Sequence, residues 1–329
     1  MLRIELRNTL DQRSLDEILD LLEEARRIEG HAPVGEHKAS HLAVGAHNWV
    51  GILAYDEQRL VGYAHTRWNS WTGPEPPTPR LAVEVVVHPD WYDAPVARHL
   101  LAETRAVLGR AGGGLLYLWV HRVEDAHDTL AARLGFAIQR QLAYMTRDLE
   151  SRPRGPVLSE GVVARAYRPG EDDAALLAVN NRAFEGHPEN GAWTPEELAG
   201  RRSLDWFDPE GLITVWRGEE LLGFHWTKWH GHTDEEPPAH EPVGEVYVLA
   251  VDPAAQGLGL GRALLDAGLG HLYDRGCRRA ILYVDTASAG AMRLYSGQGF
   301  RTLYQEVCYE EQVWPTVDHQ TPELLRPSS

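Results

Sequence analysis

A chain of 329 residues that is 43% hydrophobic and 24% charged has an ordinary globular composition and suits about two domains. Its formal net charge of −16 weighs against nucleic acid and anionic membranes as partners and fits a cationic small molecule such as an amine. Only Cys277 and Cys308 are present, so there is no disulfide framework. No apolar run reaches the roughly 18 residues that span a bilayer, and the start Met-Leu-Arg-Ile-Glu-Leu-Arg lacks a signal-peptide core, so the expected location is the cytoplasm.

Ile4 to Arg7 reads as a short strand. Ser14-Leu15-Asp16-Glu17 then reads as a capping-box start to an amphipathic helix with Leu15, Ile18, Leu19 and Leu22 on one face. A polar loop from Gly30 to Lys38 carries His31, Glu36 and His37. Trp49 to Tyr55 and Leu60 to Thr66 are strand-like and are joined by a hairpin turn, and Gly73 to Pro79 is a Pro-rich surface loop. Strand Leu81 to Val87 ends in His88-Pro89. A helix from about Ala94 to Gly109, a strand Leu115 to Val120 and a short helix Asp128 to Leu134 follow. The polar, turn-rich run Ser151-Arg-Pro-Arg-Gly-Pro156 marks a linker at 151–158 between domains at 1–150 and 159–329.

After that linker the order of elements repeats. Val87-His-Pro89 answers Val251-Asp-Pro253, Trp119-Val120 answers Tyr283-Val284, and Gly135-Phe136 answers Gly299-Phe300, always 164 residues on (251 − 87, 283 − 119, 299 − 135). A constant offset over such a length indicates a duplicated domain. The copies differ chemically, since Gln256, Gly259, Gly261 and Tyr295 fall on Tyr92, Pro95, Ala97 and Ala131. Proline has no N–H to give a phosphate, so the first copy reads as degenerate and the second as catalytic.

The most informative stretch runs from Val246 to Leu265. A β-branched apolar strand breaks at Asp252-Pro253 and restarts with helical spacing at Arg262; between them lies Gln256-Gly257-Leu258-Gly259-Leu260-Gly261. Glycines that let the backbone approach closely, next to a helix N-terminus, make a phosphate cradle. Arg262-Ala263 stands where a nucleotide P-loop needs Lys and Ser or Thr, and Gly-x-Gly-x-Gly has the wrong spacing for a dinucleotide fold.

Gln-x-x-Gly-x-Gly-x-Ala after a strand ending in Val-Asp-Pro resembles the acetyl-CoA pyrophosphate loop of the GNAT acetyltransferases, and Ala291-Met-Arg-Leu-Tyr295-Ser-Gly-Gln-Gly299-Phe300 resembles that family's later motif. Phe184-Glu-Gly-His-Pro-Glu-Asn-Gly-Ala-Trp193 and Gly223-Phe-His-Trp-Thr-Lys228 further resemble the mycothiol synthase family, over essentially the whole chain. The resemblance implies two tandem GNAT domains, each an α/β fold with a mixed sheet flanked by helices. It also implies acetyl-CoA as co-substrate and acetylation of the cysteinyl amine of a cysteine, glucosamine and inositol conjugate. The arginine bias, with lysine only at Lys38 and Lys228, agrees with an actinobacterial source.

Carried over position by position, the resemblance gives Leu249, Ala250 and Val251 to the pantetheine arm. It gives Gln256, Gly257, Leu258, Gly259, Leu260, Gly261 and Arg262 to the pyrophosphate, and Ser288, Ala289, Gly290, Ala291, Met292 and Arg293 to the flank of the cofactor. Many relatives carry Asn where this chain has Ser288. Glu36, Glu185, Lys228, Glu245 and Tyr283 match positions that hold the sugar and cysteinyl parts, and Val85, Val86 and Val87 match a vestigial acetyl-CoA site in the first copy.

The chemistry also follows from the residues. An amine attacks a thioester only when neutral, and an α-amine with a reference pKa of about 7.7 to 8.0 needs a base near pH 7; Glu245, at the start of the central strand, is the candidate. The departing thiolate needs a proton donor, and Tyr295 occupies the family's position for that acid. Strand N–H groups near Leu249 polarise the carbonyl. His225, His230 and His232 lack a metal motif, so no metal is expected. The expected molecule is a monomer acting on a small amine. The rival readings are acetylation of an aminoglycoside or a protein N-terminus, and a CoA-binding sensor without catalysis.

Overall fold

The structure is a computed structural model that describes residues 2–29, 49–68, 78–92, 94–123, 125–187, 190–231 and 241–316. Packing divides the chain into two compact units, one taking residues up to Gln141 and again from Tyr304, the other taking Leu142–Leu303.

In the first unit β1 (Arg3–Arg7), β2 (Trp49–Asp56), β3 (Arg59–Trp68) and β4 (Arg80–Val87) pair antiparallel in sequence order. Next to β4 lies β5 (Gly114–Val120) in parallel, and the later part of β12 (Arg301–Val313) closes antiparallel on β5. The helices of this unit are α1 (Gln12–Glu29), α2 (Val96–Arg110) and α3 (Asp125–Arg133). Asp11 caps α1, its Oδ1 accepting from Ser14 N at 2.8 Å. Ser14 therefore lies inside the helix and is not its cap, because a carboxylate one residue ahead of the first turn is the better acceptor for that N–H. The buried stripe is Ile18, Leu21, Leu22 and Ala25, whereas Leu19 is exposed. The expected face is rotated by about 60°, since the buried stripe runs from Ile18 to its i+3 and i+7 positions Leu21 and Ala25.

In the second unit Leu142–Asp148, the later part of β6 (Ala137–Asp148), pairs antiparallel with β11 (Arg279–Asp285). Parallel to β11 lies β10 (Val243–Val251), followed by β9 (Glu220–His230), β8 (Leu212–Arg217) and β7 (Val162–Ala166), all antiparallel. Helices α4 (Asp173–Ala183) and α5 (Pro195–Arg202) cover one face. Leu176, Val179 and Leu198 pack there with Phe224, Trp226, Val248 and Ala250. On the other face lie α6 (Leu260–Asp274) and α7 (Ala289–Gly297), where Leu265, Leu269 and Leu272 meet Val246 and Leu282. Helix α5 starts in a full capping box, with Glu197 N donating to Thr194 Oγ1 (3.2 Å) and Thr194 N donating to Glu197 Oε2 (2.8 Å).

The repeat is visible element by element. α2 and α6 begin and end 164 residues apart (260 − 96, 274 − 110), as do α3 and α7 (289 − 125, 297 − 133). His88 and Asp252 do the same local work, each accepting a hydrogen bond from the backbone N–H two residues on, at 3.2 and 3.0 Å, to start a short 3-10 turn. The packing division differs from the linker read at 151–158. Residues 142–150 belong with the second unit, with Leu149 N donating to Arg278 O (2.8 Å) and Arg152 paired to Asp274 (2.8 Å). Composition marks where the chain turns, whereas backbone pairing decides which sheet a strand completes. Among the described residues no helix is long and apolar enough to cross a membrane.

Candidate functional site

The second unit's site is built along β10. Its parallel pairing with β11 takes in Val243, Gly244 and Glu245, opposite Arg279, Ala280 and Ile281, and ends there while β10 runs on to Val251. On the other side β10 stays paired with β9 throughout, with a bulge between Val246 and Val248. A bulge bends its strand and sharpens its twist. The two parallel strands therefore part beyond Glu245 and leave a wedge, one wall of which is the edge of Leu249, Ala250 and Val251. Such an edge can pair with an extended amide-bearing chain as a strand would.

At the far end of β10 the chain enters the glycine loop. Gly257 and Gly259 sit at φ +82° and +75°, in the left-handed region, and a Cβ at either would meet open space. Conformation rather than crowding therefore calls for glycine at both. Gly259 is the N-cap of α6 and offers no side-chain cap, so the first N–H groups of the helix face outward at the positive end of its dipole. Arg262 is 72% exposed beside them, and a Cβ added at Gly261 would make only ordinary contact with α7, 3.4 Å from Leu294 Cδ2. This is a cradle that fits a pyrophosphate. Asp252 anchors it. Burial works against its charge, but Arg182, with Nε at 2.9 Å, and the Ala254 N–H outweigh that and hold its carboxyl below the usual range.

Ser288 is the N-cap of α7 and makes no side-chain cap bond; instead Asp285 Oδ1 accepts from Ala287 N at 2.9 Å. Ser288, Ala289, Gly290 and Arg293 are exposed, and Ala291 and Met292 are half-buried. Tyr295, one turn further along, is only 8% exposed and meets the edge of Phe300 at 5.9 Å. Burial pushes its phenol well above the ordinary tyrosine value, so it stays protonated.

Glu245 points to the opposite face from its neighbours Gly244 and Val246, which pack toward α6. Directly across on β9 stands Lys228, 3% exposed, with Nζ 5.1 Å above the Trp206 ring. One diagonal step away, His230 Nε2 lies 2.7 Å from Glu245 Oε2. Tyr283, two residues beyond Glu245's partner Ile281 on β11, is 45% exposed and meets Tyr144 edge-on at 5.1 Å. Glu185 is exposed just past the end of α4, the helix covering this face. An aromatic wall adjoins, with Trp206 4.9 Å from Tyr247 and Trp226 5.7 Å from Tyr247. The fold thus brings Glu245, Lys228, Tyr283 and Glu185 to one side of the sheet. Tyr295 comes from the other side, and Glu36 lies outside the described residues.

A model of the acetyltransferase (GNAT) family matches residues 176–300. A mycothiol acetyltransferase of Acidothermus cellulolyticus is 41% identical over 94% of both chains. One of Streptomyces scabiei is 40% identical over 94% of this chain and 96% of its own. The chain belongs to the mycothiol acetyltransferase family. Solved structures agree at the level of fold. A GCN5-related N-acetyltransferase of Sphaerobacter thermophilus gives a TM-score of 0.71 at 19% identity, covering 96% of this chain and 97% of that one. A tandem GNAT protein from the clavulanic acid biosynthesis pathway gives 0.71 at 16%, covering 96% and 100%.

This mycothiol acetyltransferase family member is an acetyl-CoA-dependent N-acetyltransferase on a tandem GNAT fold. In its first unit the parallel pairing of β4 with β5 runs to Glu84, leaving Val85, Val86 and Val87 beyond it. Pro95, at φ −76°, caps α2 where the second copy has left-handed Gly259; a proline ring cannot adopt that conformation. Buried Ala131 stands where the second copy has Tyr295. Sequence spacing does not reveal His230 or Tyr247, a diagonal neighbour and a bulged residue set by register, nor Trp206, which lies in the turns after α5.

Proposed function

We propose that the second copy transfers the acetyl group of acetyl-CoA to the cysteinyl α-amine of a cysteine, glucosamine and inositol conjugate, giving mycothiol. The observation that carries this reading is that one strand joins both halves of the chemistry. Glu245 stands where the wedge begins and the glycine cradle follows Val251. Six residue steps at about 3.3 Å put these roughly 20 Å apart, a span that an extended pantetheine arm bridges.

In this reading acetyl-CoA supplies the thioester, and the chain's own groups do the rest. Leu249, Ala250 and Val251 pair with the pantetheine arm, and the N–H groups from Gln256 to Arg262 hold the pyrophosphate. Residues Ser288 to Arg293 flank the cofactor. Glu245 takes the proton of the substrate ammonium, directly or through water, and frees the nitrogen lone pair to bond to the carbonyl carbon. A strand N–H near Leu249 meets the charge that builds on the carbonyl oxygen. As the carbon–sulfur bond breaks, the Tyr295 phenol donates its proton to the sulfur, the second proton that the nitrogen sheds on becoming an amide restores the phenol through solvent, and no bond to the enzyme forms. Lys228, Tyr283 and Glu185 contact the sugar and cysteinyl parts, with the Trp206–Tyr247 wall beside them. The first copy's Val85 to Val87 edge is a remnant of the cofactor site. The chain works as a cytoplasmic monomer on a small molecule rather than on nucleic acid or membrane.

The test is thiol release from acetyl-CoA by the full chain with the cysteinyl conjugate beside a panel of aminoglycosides and peptides. A strong preference for the conjugate is expected. Turnover confined to the panel would leave the fold and the acetyl transfer standing and remove the conjugate as substrate.

A further inference from the structure

Glu245 has a specific partner. His230 is the last residue of β9 and stands opposite Val243, while Lys228 stands opposite Glu245, so His230 and Glu245 are diagonal neighbours on one face. Their side chains are 15% and 12% exposed, and Nε2 lies 2.7 Å from Oε2. The last torsion of a glutamate is broad and two-fold, so an unheld carboxylate swings between orientations. A bond of this length to one oxygen removes that freedom. We infer that His230 is a positioning residue for acetyl transfer: its Nε2–H holds Oε2 of Glu245 and leaves Oε1 to take the amine proton. This rests on the reading of Glu245 as the base.

A purely structural pair, enclosed as this one is, supports the fold, so its loss would lower the melting temperature and leave the kcat of the folded chain unchanged. Loss of orientation acts on rate instead, because a misplacement of about 1 Å can cost on the order of 100-fold. The experiment compares the full chain with His230→Ala, His230→Gln, Glu245→Gln and the double variant Glu245→Gln with His230→Ala. The readouts are kcat, KM for acetyl-CoA and for the conjugate, and melting temperature.

His230→Ala is expected to lower kcat about 10- to 100-fold with KM for acetyl-CoA unchanged. His230→Gln, whose amide N–H reaches the same oxygen, recovers most of that loss. In the Glu245→Gln background the alanine change costs little more, since His230 acts through Glu245. Should alanine unfold the chain, His230→Phe fills the space without a donor and carries the same expectation. The inference is overturned if His230→Ala or His230→Phe keeps wild-type kcat while Glu245→Gln is impaired, if His230→Gln is as slow as alanine, or if the double variant loses the full product of both effects. Full activity of Glu245→Gln removes the base reading itself, and His230's role with it.

Discussion

Gly268, in the middle of α6, gives a sharp test of how the second unit is packed. An added Cβ there would stand 2.1 Å from Nδ1 of His225, a fully buried imidazole whose Nδ1 bonds Leu264 O at 2.9 Å. Gly268→Ala gains about 1 kcal/mol in helix propensity. Against that, the ring must leave its place. A buried hydrogen bond lost costs about 1 to 3 kcal/mol, and overpacking costs about the same again. The net is a loss of roughly 3 kcal/mol, or about 6 to 12 °C in melting temperature for a unit of this size. Gly200 is the control. It also lies inside a helix, but nothing is within 4 Å of its added Cβ, so Gly200→Ala should stabilise by up to about 1 kcal/mol. Thermal and urea unfolding of both variants, followed by circular dichroism, is the assay. If Gly268→Ala melts at or above wild type, as Gly200→Ala should, the account of β9 and α6 packing is wrong.

Other consequences follow from the same geometry. Burial pushes the His225 imidazole down to about 4, so the native state refuses a proton that the unfolded chain takes below about 6.5. Stability should therefore be whole above pH 6.5 and fall by up to roughly 3 kcal/mol as pH drops to 4, a slope that His225→Asn flattens in urea titrations. In the first unit burial works against the charge of His121, but Glu306 at 3.0 Å and Glu84 at 3.3 Å outweigh it and push the imidazole up to about 10. Its contribution is present below pH 6.5 and lost as pH rises through 10; a His121→Gln variant whose unfolding shows the same alkaline slope as wild type would contradict this. Gly259→Ala keeps free space but strains a left-handed residue by about 1 to 2 kcal/mol, and steady-state kinetics should show KM for acetyl-CoA raised about tenfold. Tyr295→Phe fills the same buried space without the proton, so kcat should fall about 100-fold with little change in melting temperature.

Much of this was readable without coordinates. The strand, loop and helix around Gln256–Gly261 and the constant 164-residue offset are local or periodic signals, and the element boundaries reproduce them. Gly257 and Gly259 were legible as glycines a tight loop needs, and their positive φ supplies the reason. The capping box Thr194-Pro195-Glu196-Glu197 was an available signal for α5. What stayed hidden depends on register and pairing. Leu19 lies at helical spacing from Leu15 and Leu22, yet only packing tells which edge of the stripe is wet. The bulge beyond Val246 sets two neighbouring residues, Tyr247 and Val248, in the same packed cluster, and alternation alone would not allow this. His230 and Glu245 are 15 residues apart and meet only because β9 and β10 pair in one register. The exchange of strands 142–148 and 304–313 between the units carries no compositional mark at all.

The most direct test of the account is the rate of thiol release from acetyl-CoA with the cysteinyl conjugate, measured for the full chain and for Glu245→Gln. The account predicts steady turnover by the wild type and a rate at least about 100-fold lower for the variant, with KM for acetyl-CoA unchanged. Equal rates for the two, or no acetylation of the conjugate by the wild type, would contradict it.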